Sequence, residues 1–157
     1  MTLGTDDRIA LGDLVARYAL YADRRDIDAM AALFTTDAVL VLPSAPDELD
    51  PVRTFTGRAE ITATLSVLDG IPVTFHALVG QVFDAGPEPG TATGEIACVA
   101  HHLTERDDGR TSDLVWNCRY TDAYRLDGGT WRIARREQRI DSIETRPVRR
   151  RRARTLR

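Results

Sequence analysis

The chain has 157 residues and a formal net charge of −3, and all 21 of its cationic side chains are arginines. Seven of these arginines and no acidic residue lie in the last twelve positions, so residues 1–145 carry 14 Arg against 24 acidic residues, a net charge of −10. This length corresponds to one domain that can bury a core and an internal pocket. A chain without lysine cannot form a Schiff base, anchor pyridoxal phosphate or supply the lysine of a P-loop.

Missing motifs and short apolar runs exclude further classes. The sequence contains no GxGxxG and no GxSxG, so a dinucleotide site of the Rossmann type and a serine-hydrolase elbow have no support. The longest apolar runs, such as residues 38–43, are too short to cross a bilayer, and residues 1–7 have no basic segment typical of a secretory signal. Cys98 and Cys118 lack CxxC spacing and are expected to be free core thiols in the cytoplasm.

The charge distribution predicts two regions. Residues 1–145 form the predicted acidic domain, and residues 146–157 form a basic tail that we expect to be disordered. The tail has no aromatic residues among its arginines, so any binding to nucleic acid would be unspecific.

The first half of the chain predicts three helices and one strand. Residues 6–23 predict an amphipathic helix, because apolar residues recur at helical spacing at Leu11, Leu14, Val15, Tyr18 and Ala22. Asp26 can cap a second short helix over residues 27–34. Residues 38–42 are expected to form a strand and residues 43–51 a loop. A third helix is predicted over residues 57–68.

From Ile71 onward the apolar pattern has a period of two. It predicts four long strands over residues 72–84, 91–104, 111–126 and 130–142. Their connections are short and rich in Gly, Pro and Asp, which favours an antiparallel meander. Three helices followed by such a sheet predict an α+β fold with the helices packed on one face.

Two residues are candidates for acid–base chemistry. Asp23 lies at the end of the first predicted helix, where the helix dipole disfavours a carboxylate, and such local conflicts are typical of functional sites. Capping of the turn, or pairing with Arg24 or Arg25, explains Asp23 equally well. His76 lies in an apolar strand, where histidine is more often a core residue, yet the ordinary pKa of imidazole suits proton transfer near neutral pH.

Other polar residues of the predicted strands are candidates for the same pocket. His101 and His102 are adjacent and therefore face opposite sides of the sheet, and the acidic residue on the side of His101 favours His102 as the inward one. Asn117 and Arg119 share a face of the next strand, where Arg119 can bind an anionic group. Arg136 of the last strand can reach a cavity or coat the outer face.

Over most of residues 6–142, the order and spacing of several segments resemble the SnoaL-like group of the nuclear transport factor 2-like superfamily. The segments are LVARY at 14–18, DRRD at 23–26, LFTTDA at 33–38, FTG at 55–57, TFH at 74–76, YTDAY at 120–124 and GTWRI at 129–133. The pattern is most similar to scytalone dehydratase, bile-acid 7α-dehydratase and hexachlorocyclohexane dehydrochlorinase, which eliminate water or HCl without a cofactor. The resemblance implies a cone, in which a curved antiparallel sheet wraps around three helices and encloses an apolar pocket.

The resemblance also implies roles for individual residues. The family's Asp–His pair at the pocket mouth falls on Asp23 and His76, and the helix-one Tyr of the dehydratases falls on Tyr18. The second His of scytalone dehydratase falls on His102 or His101. The Asn of that enzyme falls on Asn117. The Arg that family members carry in the final strand falls near Arg136 or Arg139.

The expected function is a cofactor-independent lyase, isomerase or cyclase that acts on a small hydrophobic, polyketide- or steroid-like substrate. Asp23 would fix the tautomer of His76, which would remove a proton next to a carbonyl. Tyr18, Tyr21 or His102 would protonate the leaving hydroxyl or polarise the carbonyl. Substrate-binding roles are expected for Tyr21, Asn117, Arg119 and Arg136. The resemblance further implies a homodimer or homotrimer. The acidic domain argues against nucleic acid as a partner, and the short apolar runs argue against a membrane.

Three other hypotheses compete with this one. A binding or accessory protein would use the same pocket without chemistry. A metal site would use His76, His102 and Asp23 as a two-His-one-carboxylate set, although these residues lack the usual ligand spacing, so no metal is expected. The small subunit of a ring-hydroxylating dioxygenase would share the fold but leave the Asp–His pair without a task.

Overall fold

The computed structural model describes residues 2–149, which form three α-helices and a six-stranded sheet. The helices are α1 (Thr5–Arg24), α2 (Ile27–Ala32) and α3 (Gly57–Leu65), and a 3₁₀ helix over Ser66–Gly70 follows α3. The strands are β1 (Phe34–Ser44), β2 (Glu48–Thr56), β3 (Val73–Ala85), β4 (Thr91–Glu105), β5 (Thr111–Asp127) and β6 (Thr130–Val148).

The sheet has the strand order β2-β1-β6-β5-β4-β3 and is curved and unclosed. The predicted meander is confirmed, because β3, β4, β5 and β6 pair antiparallel in sequence. Strand β1 pairs parallel with β6 and antiparallel with β2, which makes β2 and β3 the two edges. The helices and the sheet together confirm the predicted α+β class.

Helix α1 packs against the sheet through its apolar face. Its predicted apolar stripe is buried, and it packs mainly on β3. The carboxylate of Asp7 accepts a hydrogen bond from the backbone of Gly4 at 3.1 Å and another from the Trp131 indole at 3.0 Å. These bonds tie the first turn to β6. Within residues 2–149, neither α1 nor another helix is long and apolar enough to cross a membrane.

The main departure from the predicted elements lies between α2 and α3. Residues 43–51 were expected to be a loop, but β1 extends to Ser44 and β2 begins at Glu48, so only a short turn separates them. The prolines and acids that suggested a loop are compatible with β2 because it is an edge strand, on which Pro51 need not donate to a neighbour. Helix α2 ends at Ala32 rather than at Phe34, which is the first residue of β1.

The predicted domain boundary after residue 145 falls inside a strand. Strand β6 continues to Val148, where it pairs with Thr111 of β5. Arg146 is therefore a strand residue, and its guanidinium lies 3.6 Å from the Asp113 carboxylate. The remainder of the predicted basic tail, residues 150–157, lies outside the described residues.

A buried ion pair joins the last two strands to α1. Arg136 is 0% exposed and makes two hydrogen bonds, of 2.8 and 2.6 Å, to the carboxylate of Asp122, its cross-strand partner. The Tyr124 hydroxyl also donates to Asp122. The guanidinium carbon lies 4.1 Å from the ring centroid of Tyr18 and 4.5 Å from that of Tyr120. This cation therefore has aromatic partners as well as a carboxylate.

We predict that R136M lowers the free energy of unfolding by about 3–5 kcal/mol, because it leaves the Asp122 carboxylate buried and unpaired. The measurement is equilibrium urea denaturation. The double variant R136M/D122N should be more stable than R136M, since it also removes the uncompensated charge.

The matched control is R139M, which removes an exposed arginine that pairs with Asp141 on the same strand. It should cost less than about 1 kcal/mol. Equal destabilisation by R136M and R139M would show that the buried pair has no special role.

Candidate active site

A cavity of about 410 Å³ lies between the three helices and the concave face of the sheet. Each of the helices and strands contributes to its wall, which is mainly apolar. Its polar lining consists of Tyr18, Arg53, Thr64, His76, His102, Thr104, Trp116, Tyr120 and Gln138. Within residues 2–149, no Asp or Glu side chain lines the cavity. This size and composition are typical of a site for a small hydrophobic molecule.

Asp23, at the end of α1, accepts three hydrogen bonds from β3. Its Oδ1 lies 2.7 Å from Nδ1 of His76 and 3.0 Å from the Thr74 hydroxyl, and its Oδ2 accepts from the His76 backbone N–H at 3.0 Å. Because the backbone N–H of His76 can only donate, the atom at the position of Asp23 Oδ2 must be an acceptor. The structure thus joins the two residues that the sequence singled out for acid–base chemistry.

Arg25 explains how a carboxylate is tolerated at the C-terminal end of α1. This residue has a left-handed backbone (φ 62°), and its guanidinium donates to the carbonyls of Ala22 (2.8 Å) and Asp23 (3.0 Å). It also donates to the Thr74 hydroxyl at 2.8 Å and to the Ile71 carbonyl at 2.5 Å. A cation on the terminal carbonyls offsets the negative end of the helix dipole. Arg25 therefore contacts the backbone and Thr74, whereas the Asp23 carboxylate is left for His76.

The hydrogen bonds also determine which nitrogen of His76 carries its proton. Burial opposes the charged form of Asp23, but the hydrogen bonds from His76 and Thr74 outweigh it, so the pKa of this carboxyl lies below its ordinary value. An ionised Asp23 accepts from Nδ1–H, which leaves the lone pair of neutral His76 on Nε2. The His76 side chain is only 9% exposed and borders the cavity. It is thus arranged as a base.

His102, and not His101, lines the cavity. It is 6% exposed, its Nδ1 lies 3.1 Å from the Leu114 carbonyl, and its ring is 4.7 Å from that of Trp116 and 6.0 Å from that of His76. Burial lowers the pKa of His102, which keeps the ring neutral with its proton on Nδ1. In this state its Nε2 accepts a proton or a hydrogen bond and cannot donate one.

A second Asp–His pair lies on the opposite face of the sheet. His101 Nδ1 is 2.7 Å from the Asp113 carboxylate, the same distance as in the Asp23–His76 pair. Strand alternation separates His101 from His102, since neighbours on β4 face opposite sides. His101 is not among the residues that line the cavity. This pair therefore provides an internal control with similar geometry and no access to the cavity.

Tyr18 and Tyr120 form the part of the cavity wall that lies over Arg136. Their rings pack edge to face at 6.1 Å, and both are buried. Burial raises the pKa of Tyr18 and, more strongly, that of Tyr120. Both hydroxyls are therefore protonated at neutral pH and can donate hydrogen bonds to an oxygen atom of a ligand.

None of the four residues with predicted substrate-binding roles, Tyr21, Asn117, Arg119 and Arg136, lines the cavity. Asn117 donates to Ser142 at 3.0 Å, and Arg119 pairs with Asp141 at 2.7 Å, both away from the cavity. Tyr21 is also absent from the cavity wall, and its hydroxyl accepts from Arg17 at 3.4 Å on an exposed face of α1. The inner positions of β5 are the even-numbered ones, because the bulky aromatic residues at 116 and 120 occupy that face.

Several cavity residues escaped the sequence reasoning. Arg53 belongs to β2, which was expected to begin as a loop, and Gln138 lies on β6 two residues beyond Arg136. Trp116 and Tyr120 are aromatic residues of one predicted strand and are four positions apart, so they lie on the same face. This spacing was the sequence signal for an inward face. Arg136 itself lies behind the tyrosines in the core rather than on the cavity wall.

The sequence also allowed a metal site formed by His76, His102 and Asp23. Among residues 2–149, no group of three or more His, Cys, Asp or Glu side chains has the arrangement of a metal site. The Oδ1 atom of Asp23 and Nδ1 of His76 are instead hydrogen-bonded to each other.

Comparisons with known proteins agree with this architecture. The sequence matches the model of the SnoaL-like domain over residues 5–137. No curated protein is significantly similar to the chain in sequence.

Three solved structures illustrate the likeness. One is a proposed scytalone dehydratase from Novosphingobium aromaticivorans (22% identity, TM-score 0.74, covering 91% of this chain and 89% of that one). Another is a proposed aromatic ring hydroxylase from the same organism (25% identity, TM-score 0.75, covering 93% of this chain and 96% of that one). A third is a type 2 hexachlorocyclohexane dehydrochlorinase, LinA (15% identity, TM-score 0.74, covering 92% of this chain and 90% of that one). These likenesses show a shared fold.

The neutral state of His102 makes stability depend on pH. The unfolded chain binds a proton at His102 near pH 6.5, whereas the folded protein, in which the pKa of His102 is lowered, stays neutral to a lower pH. Acidification below about pH 6.5 should therefore lower the free energy of unfolding, by at most about 1.4 kcal/mol per pH unit from this residue, until folded His102 is protonated.

The measurement is urea denaturation between about pH 7 and pH 5, the range that brackets the ordinary pKa of histidine. The variant H102N keeps a donor for the Leu114 carbonyl but does not titrate, so its slope should be smaller than that of the wild type. H101N serves as the matched substitution at the neighbouring position. An unchanged slope in H102N would contradict the assignment of a neutral His102.

Proposed function

Because the chain belongs to the SnoaL-like domain family of the nuclear transport factor 2-like superfamily, we propose that it is a cofactor-independent acid–base enzyme. The proposed reaction class is that of a lyase of the dehydratase type, with isomerisation or cyclisation as variants of the same chemistry. The proposed substrate is small and hydrophobic, of polyketide- or steroid-like character. The observation that carries this proposal is the 2.7 Å contact between Asp23 and His76 beside a mainly apolar cavity.

The first step assigns the proton transfer to His76. Nε2 of the neutral ring takes a proton from a carbon next to a carbonyl group, and the electron pair of that C–H bond moves toward the carbonyl oxygen. Asp23 remains ionised, holds the ring in its tautomer and stabilises the imidazolium that forms. The His76 side chain is only 9% exposed beside a mainly apolar wall, and this burial strengthens its electrostatic contact with Asp23.

The second step returns the proton. The bond between the β-carbon and its hydroxyl breaks as the electron pair forms a carbon–carbon double bond, and the imidazolium of His76 gives its proton to the leaving hydroxyl as water. Atoms and charge balance without a redox partner. His102 cannot supply this proton in its neutral state, because its own proton is directed at Leu114. His102 instead accepts a hydrogen bond from the substrate hydroxyl.

The tyrosines are assigned to the carbonyl oxygen. Negative charge develops on this oxygen during proton removal, and hydroxyl groups in a dry site stabilise it effectively. Tyr18 and Tyr120 are protonated and border the cavity, and both rings contact the cationic Arg136. Burial raises the pKa of both tyrosines, and the charge of Arg136 offsets part of this rise, which makes each hydroxyl a better hydrogen-bond donor. Arg136 thus acts through the tyrosines as a positioning residue.

A binding or accessory role is the second candidate. It is favoured by one observation: the hydrogen bonds of Asp23 also fasten the end of α1 to β3, which is a structural task. A protein of this kind would bind hydrophobic ketones in the cavity and return them unchanged.

We predict that H76A lowers the turnover of a β-hydroxy ketone by about 10²–10⁴-fold, because the base is lost. A suitable probe is 3-hydroxy-1-tetralone, whose loss of water gives fluorescent 1-naphthol. The matched control is H101A, which breaks the other Asp–His pair and should leave turnover unchanged. Undiminished turnover in H76A would refute the proposal, and binding without conversion by the wild type would favour the accessory role.

We predict that D23N has a comparable effect on kcat and a small effect on KM. Asparagine offers one acceptor oxygen to three donors, so its amide nitrogen faces a donor and the correct tautomer of His76 is lost. Steady-state kinetics with the same ketone gives both constants. D113N is the matched control on the opposite face, and a loss of activity as large as that of D23N would argue for a general effect on folding.

A further inference from the structure

Within residues 2–149, Arg53 is the one residue with a permanent charge on the cavity wall. It lies on β2 and pairs directly with Leu42 of β1, which also lines the cavity. Arg53 is exposed, so it borders the opening rather than the depth of the cavity. The apolar walls and the exposed arginine together form a site with an uncharged interior and a cationic rim.

The guanidinium of Arg53 is positioned but not neutralised. Its central carbon lies 5.2 Å from the centroid of the Phe55 ring, which is on the same face of β2. Among residues 2–149, Arg53 has neither an ion pair nor a side-chain hydrogen bond, whereas Arg119, Arg125, Arg135 and Arg139 all pair with carboxylates. Stacking on an aromatic face leaves the edge of the guanidinium, with its N–H donors, available to a ligand.

Arg53 and His76 lie on the two edges of the sheet. Arg53 belongs to β2 and His76 to β3, which are the first and last strands of the order. Both residues nevertheless border the same cavity, because the sheet is curved. A molecule that fills the cavity can therefore contact His76 with one part and Arg53 with another.

We propose that Arg53 binds a carboxylate of the substrate at the rim while the hydrophobic body of the substrate occupies the cavity and presents its reacting carbon to His76. This inference rests on the proposed function and adds the substrate class, a hydrophobic carboxylic acid. The planar fork of arginine matches a planar carboxylate in a bidentate contact. The single positive charge balances one negative charge, and the exposure of Arg53 lets the carboxylate keep part of its hydration.

The same geometry disfavours a phosphate monoester. Such a group carries nearly two negative charges at neutral pH, and one cation would balance only one of them. The surrounding domain is acidic, with a net charge of −10 over residues 1–145, so the second charge would be repelled.

The test measures binding of a matched set of ligands by isothermal titration calorimetry. The set comprises 2-naphthoate, its neutral analogue 2-naphthamide, and 2-naphthyl phosphate. The wild type should bind the acid about tenfold more tightly than the amide, as expected for one charge-assisted contact. R53M should abolish this preference, and R53K should retain part of it, because lysine keeps the charge but lacks the planar fork.

Two controls isolate the contribution of Arg53. R139M removes one positive charge away from the cavity and should leave the preference intact, which excludes an effect of net charge. H76A should also keep the preference, because carboxylate binding at the rim does not need the base. Loss of turnover in H76A without any preference for naphthoate in the wild type would overturn the role of Arg53 and leave the proposed function standing.

Three outcomes would contradict the proposal directly. The first is equal affinity of the wild type for the acid and the amide, or no binding of the acid at all. The second is a preference that survives in R53M. The third is tighter binding of the naphthyl phosphate than of the naphthoate, which would show that the site prefers a more highly charged group than a carboxylate.

Discussion

The buried Arg136 cation is the constraint on which the cavity depends. A fully buried charge is costly unless it is paired and hydrogen-bonded. Asp122 accepts from Nε and Nη2 of Arg136 and aromatic rings lie beside the guanidinium, whereas Nη1 has no hydrogen-bond partner among residues 2–149. Because Tyr18 belongs to α1 and Tyr120 to β5, the same contacts set the distance between helix and sheet. The wall of the cavity is therefore built on an electrostatic core.

A second electrostatic arrangement positions the candidate base. The end of α1 is an unfavourable place for Asp23, and Arg25 compensates by covering the terminal carbonyls. Arg25 also donates to Thr74, which donates to Asp23, so a chain of hydrogen bonds runs from the cation to the carboxylate that holds His76. The local conflict at the helix end and the tautomer of the histidine are two consequences of one network.

Strand alternation assigns the remaining side chains to separate tasks. The inner positions supply aromatic and aliphatic walls with a few polar groups, and the outer positions carry surface ion pairs such as Arg119–Asp141. Adjacent His101 and His102 are the clearest case, since one pairs with Asp113 outside and the other lies beside His76 inside. Curvature then brings the two sheet edges to one cavity, so that Arg53 and His76 face the same space.

The fold class followed from periodicity because each element obeys a local rule. The apolar stripe of α1, the cap at Asp26 and the alternating strands after Ile71 were all readable from neighbouring residues. Strand β2 was missed because its proline and acids indicate a loop, and only its place at the edge of the sheet makes them acceptable. The parallel pairing of β1 with β6 was also invisible, since it joins segments that are far apart along the chain.

The sequence by itself determined the α+β class, the conflict at Asp23 and the candidacy of His76, because these depend on spacing within one element. Strand alternation already favoured His102 over His101 as the inward histidine, and His102 lines the cavity. The tertiary structure alone gave the 2.7 Å distance between Asp23 and His76 and decided that Asn117 and Arg119 face away from the cavity. It also decided that Arg136 is buried and that Arg53 borders the cavity. The physical reason is that register and curvature, which bring distant strands to one site, arise from packing of the whole sheet and leave no mark in a single segment.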